Sequence, residues 1–395
     1  MAKRIIVQDY AGHPFQIQLS RKLAERGYHV LHLYAGNNQT PHGSLLKLET
    51  DPLNFDVQGL YIRQPLNKYS YIKRWFQERR YGRLALDAVA KFKPDTVISA
   101  NMPLDPQAML QRYCQDNHIR FVFWLQDVIS LATKKILEKK LSWAGKLIGD
   151  YYIALEKRVV SNSDHIVLIT DGQELFLLEM GIPKRKVTVI PNWAPLNELP
   201  VLPKDNPWSR EHGLADKFTF LYSGTLGLKH NSNLLLQISL HFKEDRQVMV
   251  FVGSEGPGAD WLSQRVKEFN LPNLIVKGYQ QMEVFPQVLA AGDVLIAILE
   301  AEAGAYSVPS KVLSYLTAQK PLLLAVPQNN LAARIVQNSQ AGYVVEPADV
   351  SALLEKAERL FADKILCEKF AQNARHYAEE NFDIERITDR FEALL

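Results

Sequence analysis

Several chemistries are excluded by what this chain lacks. Its 395 residues hold two cysteines, Cys114 and Cys367, with no CxxC or metal-type spacing. That excludes a disulfide framework or thiolate zinc site and points to a reducing compartment. No apolar run approaches the ~20 residues of a membrane span. The N-terminal MAKRIIVQDYAGHP has an apolar run too short for a signal peptide. A cytoplasmic protein is therefore expected. No Asp-x-Asp is present, so the usual acidic clamp for a metal on a nucleotide diphosphate is missing. H-E-x-x-H, H-x-x-E-H and G-x-S-x-G are absent too. Where a dinucleotide fold would carry GxGxxG after its first strand, the chain has Ala11-Gly12-His13-Pro14.

What remains is ordinary globular composition, 47% hydrophobic and 23% charged, at a length that suits two domains. The small net charge of +3 hides an asymmetry. Residues 1–197 carry 27 Lys and Arg against 18 Asp and Glu; the remainder carries 19 against 25. Short apolar runs alternate with longer helical patterns, the βαβ rhythm of a parallel, doubly wound sheet. In the first half the expected strands are 4–8, 30–34, 60–63, 95–99, 120–125, 165–169 and 187–190. Five prolines between 191 and 207 then read as a linker. The rhythm restarts at 218–223, 247–252, 274–277, 293–298, 321–325 and 342–346, and ends in helical sequence from about 350. The expected division is 1–197 and 198–370, followed by a C-terminal helix, 371–395.

Three segments of the second half carry anion-binding chemistry. Ser223-Gly224-Thr225-Leu226-Gly227 follows an apolar strand and leads to Lys229. Glycines there let backbone N–H groups approach an anion, and the following helix start adds positive potential. Gly253-Ser254-Glu255-Gly256-Pro257-Gly258 follows the next strand and should lie beside it. Ser307, Val308, Pro309, Ser310 and Lys311 open a helix, with N–H groups and a lysine available to phosphate. A fourth segment, Lys277-Gly278-Tyr279, ends a strand with a ring able to stack on or hydrogen-bond to a base. Each also has a plain structural reading, as a βα loop, a capped helix or a surface tyrosine.

In order and spacing, SGTLGLKH (223–230), GSEGPG (253–258), KGY with AAGD (277–293), VPSKVLSYLTAQKP (308–321) and EENFD (379–383) resemble the retaining glycosyltransferases of the GT-B fold, family-four group, of the bacterial exopolysaccharide and O-antigen type. The resemblance covers nearly the whole chain and is strongest over 218–330. It implies an α/β protein with two Rossmann-like doubly wound domains facing across a cleft, and a final helix returning to the first domain. The C-terminal domain would bind the nucleotide-diphosphate sugar, a UDP-hexose such as UDP-glucose on family frequency, and the N-terminal domain the acceptor. Lys229 would neutralise the donor diphosphate without metal or cofactor. Gly12 and neighbouring His13 would lie near the reacting sugar, and Asp127 would face the cleft. Ser223, Gly224, Thr225, Ser254, Glu255, Tyr279, Tyr306, Ser307, Val308, Ser310 and Lys311 would line the donor site. One departure is plain: the family's two glutamates, eight residues apart, fall on Tyr306 and Ser314. Glu300 and Glu302 lie several residues early.

The basic excess of the first half is concentrated in 67–83, six Lys/Arg among aromatic residues, and in 132–150. The latter reads as a basic amphipathic helix with Leu137, Leu141, Ala144 and Ile148 on one stripe. Such segments suit an anionic membrane surface and a lipid-linked saccharide acceptor; the same pattern also describes a core stripe with a solvated lysine face. Nucleic acid fits poorly, because the second half is acidic. An epimerase of the same fold and a nucleotide-sugar binding module without turnover remain open.

Overall fold

The structure, a computed structural model, describes residues 2–37, 45–63, 70–227, 230–304 and 308–395. It divides into two compact units, residues 1–192 with 384–395 and residues 193–383.

In the first unit the strands are β1 (Arg4–Asp9), β2 (His29–Ala35), β3 (Phe55–Leu60), β4 (Thr96–Ala100), β5 (Arg120–Leu125), β6 (His165–Leu168) and β7 (Val187–Val189). They form one parallel sheet in the order β3-β2-β1-β4-β5-β6-β7. The helices are α1 (Pro14–Glu25), α2 (Tyr71–Phe92), α3 (Leu104–Asp116), α4 (Ile129–Asn162) and α5 (Glu174–Glu179). Interior strands such as β4 are buried at every position, as expected of a sheet covered on both faces. The edge strand β3 instead alternates between buried and exposed. It occupies 55–60, not 60–63: with one face open to solvent, it has no continuous apolar run to mark it.

In the second unit α6 (Pro207–Glu211), β8 (Phe218–Ser223), α7 (Asn233–His241), β9 (Val248–Gly253), α8 (Pro257–Glu268), β10 (Leu274–Lys277), α9 (Phe285–Ala291), β11 (Val294–Ile298), α10 (Ala301–Gly304), α11 (Lys311–Thr317), β12 (Leu322–Ala325), α12 (Leu331–Asn338), β13 (Gly342–Val345), α13 (Val350–Ala362) and α14 (Lys364–Asn381) follow one another. The sheet order is β10-β9-β8-β11-β12-β13, all parallel.

The proline-rich stretch is not a free linker. Trp193, Ala194, Leu199 and Trp208 are buried, and Asn206 caps α6 in a reciprocal capping box with Ser209. The units part at 192/193, and Trp208 packs edge-on against Phe251 of the second unit, ring centroids 5.0 Å apart. The tail divides as well. Helix α14 stays with the second unit, where Arg375 donates to the Thr317 carbonyl at 2.8 Å. Only 384–395, containing α15 (Ile384–Glu392), returns to the first unit. There Phe391 is fully buried against Trp124, ring centroids 4.7 Å apart. Arg26 binds Glu385, Asp389 and Glu392 of the same helix.

The basic segment 132–150 is also not one amphipathic helix. Ser142 breaks α4 with φ 50° and ψ −124°, and the chain folds back on itself. A Cβ on Gly145 would collide with the Leu137 carbonyl, and one on Gly149 would lie 2.6 Å from Lys134 Cγ. The two glycines are contact points between antiparallel arms. Of the expected stripe only Leu137 is buried; Leu141 and Ile148 are exposed.

Candidate functional site

Both sheets place their chain reversal at the centre, between β1 and β4 in the first and between β8 and β11 in the second. Ligands of open α/β sheets bind at the carboxyl ends of the strands flanking such a point. At each of these points the structure brings chemistry-bearing residues together.

In the second unit β8 and β9 pair in register through Ser223 and Gly253, so their two glycine turns start side by side. The Gly224 N–H donates to the Gly253 carbonyl at 3.0 Å, and the Gly258 N–H to the Leu226 carbonyl at 3.2 Å. Gly224 has φ 127° and Gly256 has φ 103°, conformations that an L side chain strains to adopt. Gly258 is required by contact: a Cβ there would strike Ser232 Oγ and lie 2.8 Å from the Leu226 carbonyl oxygen. Ser254 is buried, its N–H donating to the Lys277 carbonyl at 2.8 Å. Glu255 accepts from the Tyr279 N–H at 3.4 Å, and the Tyr279 and Thr225 hydroxyls lie 2.7 Å apart. The 223–225, 254–255 and 279 positions therefore form one connected edge.

Lys311 reaches this edge from α11. Its Nζ lies 3.5 Å from the centroid of the buried Tyr222 ring, within cation–π range. It is also 3.1 Å from where a Gly224 Cβ would sit. Glycine at 224 thus leaves room for both the turn and the ammonium group. Ser310 is exposed and its side chain makes no cap bond. The first-turn N–H groups are less available than expected: Val312 donates to Pro309 at 3.1 Å and Leu313 to Ser310 at 3.1 Å. The helix starts tightly, with i to i−3 bonds that use those donors internally. Val308 precedes the helix, half-buried. Ser314, where a family glutamate would fall, sits half-buried on α11. Glu300 follows β11 half-buried; Glu302 is exposed. Lys229, Tyr306 and Ser307 lie outside the described residues.

Tyr315 was not expected as a site residue. Fully buried, it accepts from the Ser223 N–H at 3.0 Å and donates to the Ser223 carbonyl at 3.1 Å. Pairing between β8 and β11 covers only Phe220 and Leu221. Beyond them the hydroxyl takes the place of a neighbouring strand and fixes the residue from which the glycine turn departs. Burial pushes its pKa up, so it stays protonated.

In the first unit Gly12 (φ 79°) and His13 lie in the turn after β1. The turn is organised by Asp9, also unexpected. Its carboxylate accepts from the Ala11 N–H at 3.0 Å, from the His13 N–H, and from Asn101 Nδ2 at 3.1 Å. Burial raises the Asp9 pKa, while His13, Asn101 and the two N–H groups oppose that shift. The local signal for Asp9 is its residue type at a strand end: Asp commonly bonds its own backbone two residues on, as it does here to the Ala11 N–H. Asp127 is exposed beyond β5. Its charge adds to the burial that raises Glu156 to about 7.

Comparison with known proteins bears on the family and the fold. Residues 205–377 match the family model "Glycosyl transferases group 1", and residues 16–193 match "Glycosyl transferase 4-like domain". A curated relative, the probable glycosyltransferase WbjE of Pseudomonas aeruginosa, is 29% identical over 167 residues. That match spans 42% of this chain and 41% of WbjE, less than half of either. Among solved structures, sucrose-phosphate synthase from Thermosynechococcus elongatus superposes with TM-score 0.74 at 16% identity, covering 99% of this chain and 98% of that one. HepE from Anabaena, in complex with UDP-glucose, gives 0.72 at 16% identity over 99% and 98%. WaaG, a glycosyltransferase involved in lipopolysaccharide biosynthesis, gives 0.69 at 17% identity over 98% of both chains.

Proposed function

We propose, on the premise that this chain belongs to the GT-B glycosyltransferases of the family-four group, that it moves a hexose from a nucleotide-diphosphate sugar to a saccharide or lipid-linked saccharide acceptor with retention of configuration, in bacterial surface polysaccharide synthesis. UDP-glucose is the proposed donor. The observation that carries the reading is the edge at β8 and β9, where two glycine turns start in register beside the Lys311 ammonium group. Backbone N–H groups at such turns approach phosphate closely, and a lysine supplies the countercharge.

In this reading Lys229 and Lys311 take up the negative charge that grows on the leaving diphosphate, an effect of the oxyanion-hole type. Tyr279, tied to Thr225, borders the nucleotide. The acceptor hydroxyl attacks the anomeric carbon on the face the diphosphate leaves. The new glycosidic bond forms as the bond to the diphosphate oxygen breaks, and the acceptor proton passes to the departing phosphate oxygen. No protein carboxylate acts as a covalent nucleophile, and no metal is required. In the first unit Asp9 organises the turn that carries Gly12 and His13, the pair assigned to the reacting sugar in this reading.

Release of free nucleotide from a panel of nucleotide sugars, with and without acceptor extract, tests the proposal. Lys229→Ala should lower turnover by about 2.7–4 kcal/mol of barrier, a hundredfold or more. Near wild-type turnover in that variant would remove Lys229 from the mechanism. Serine instead of a carboxylate at position 314 favours a second reading, a nucleotide-sugar binder without turnover. That reading predicts thermal stabilisation by a nucleotide sugar but no release under any acceptor condition.

A further inference from the structure

The reversed helix α4 presents an apolar surface away from any core. Ile136, Leu141, Trp143, Leu147, Ile148 and Tyr151 are each at least 40% exposed, Trp143 reaching 75%. Between 138 and 148 only Gly145 is buried, and it is buried between the arms. The hairpin is tied together at its base. Ser130 binds Glu156, and Lys134 binds Asp150 at 2.5 Å. From Lys134 to the reversal at Ser142 is eight residues, or about 12 Å of helix.

Charge surrounds this tip. Residues 134–150 hold five lysines against two carboxylates, Glu138 and Asp150, and Lys134 engages both. Lys135, Lys139, Lys140 and Lys146 are exposed. The same chemistry continues onto the start of α2. Ile72 and Phe76 are exposed there beside Lys73 and Arg80. The two regions meet at Asp105, which lies 3.5 Å from Arg79 and accepts from Tyr152 at 3.1 Å. A cavity of about 460 Å³ at this junction is lined by Arg79, Arg112 and Arg158 together with Asp105 and Asp116, which pair with the first two.

Exposed apolar side chains at the tip, interleaved with Lys139, Lys140 and Lys146 whose long stems let the ammonium groups reach back toward water, complement a surface that is apolar within and negatively charged at its rim. We propose that the 134–150 hairpin inserts its tip, Leu141 and Trp143 foremost with Leu147 behind them, into an anionic lipid bilayer, with its lysines and the start of α2 at the headgroups. The arm length suits burial of about 5–10 Å into the headgroup and acyl boundary. Insertion of a rigid two-helix tip differs from a single amphipathic helix lying flat. It stands on this surface alone and is independent of the identity of donor and acceptor.

The test is co-sedimentation of the full chain with vesicles of phosphatidylcholine, with and without phosphatidylglycerol. Wild type should bind the anionic vesicles at low salt and release at high salt, and Trp143 should be quenched by brominated acyl chains. Trp143→Ser with Leu147→Ser should weaken binding at least tenfold, while circular dichroism and Tm stay unchanged because both residues are exposed. Lys139→Glu with Lys146→Glu should weaken it by roughly fivefold or more per lysine. No wild-type binding, or equal binding by the Trp143 and Leu147 variant, overturns the proposal. So does a wild-type dimer that this variant converts to monomer without any vesicle binding, since the face would then join two copies.

Discussion

Tyr315→Phe removes one oxygen atom from the second unit and should loosen the candidate donor site. The ring stays where it is, fully buried. What disappears is the hydroxyl that serves both the N–H and the carbonyl of Ser223, at 3.0 and 3.1 Å. Neither group has a substitute on that side, because the β8–β11 ladder stops at Leu221. Leaving a buried donor or acceptor unsatisfied costs about 1–3 kcal/mol. For the pair, about 2–6 kcal/mol of local stability should be lost, roughly one and a half to four powers of ten in an opening equilibrium. Hydrogen exchange followed by mass spectrometry on peptides spanning 218–227 reads this directly. Exchange at Ser223 and Gly224 should accelerate by that factor, while peptides from the first unit stay unchanged. In a nucleotide-release assay the donor KM should rise more than kcat falls, since the turn that holds the donor is disordered before binding. Unchanged exchange at Ser223 would refute the assignment of Tyr315 as the group that anchors this turn.

Two other perturbations probe the same architecture. Gly258→Ala places a methyl group against Ser232 Oγ and the Leu226 backbone, so it should destabilise the second unit by about 1–3 kcal/mol in urea unfolding; a neutral effect would show that the two glycine turns are not in tight contact. Glu156, at the hairpin base, has its carboxyl raised from 4.5 to about 7 by burial, so between those values the folded protein holds a proton that the unfolded chain releases. Stability from this group is therefore full below pH 4.5 and falls as pH rises to 7, by about 3 kcal/mol in all. Glu156→Gln, uncharged throughout, should lose that much less between pH 4.5 and 7.5 in urea titrations. Parallel curves for the two proteins would contradict a buried neutral carboxyl.

What sequence could reveal here depended on whether a signal was local. The six strands of the second sheet stand where apolar runs placed them: the four interior ones are covered on both faces and so almost wholly apolar, and the edges β10 and β13 keep short apolar runs although they are partly exposed. The edge strand β3, FDVQGL, escaped because polar residues interrupt it and leave no apolar run. The adjacency of the two glycine turns followed from strand order alone. Tyr315 could not be seen as their anchor, since its contact with Ser223 spans 92 residues and a tyrosine amid Val312, Leu313 and Leu316 looks like core. At the hairpin the sequence pointed the other way. Gly145 and Gly149 fit a weak helix as well as a close helix contact, and the reversal falls on Ser142, a non-glycine residue at positive φ that no turn signature announces. The apolar stripe read as one helix face is in fact shared between two arms, so lysines and apolar residues that a single helix would separate are gathered at one tip. Folding back, rather than composition, makes this basic segment a candidate for insertion into a membrane, because it leaves Trp143 and Leu147 with no protein surface to cover them.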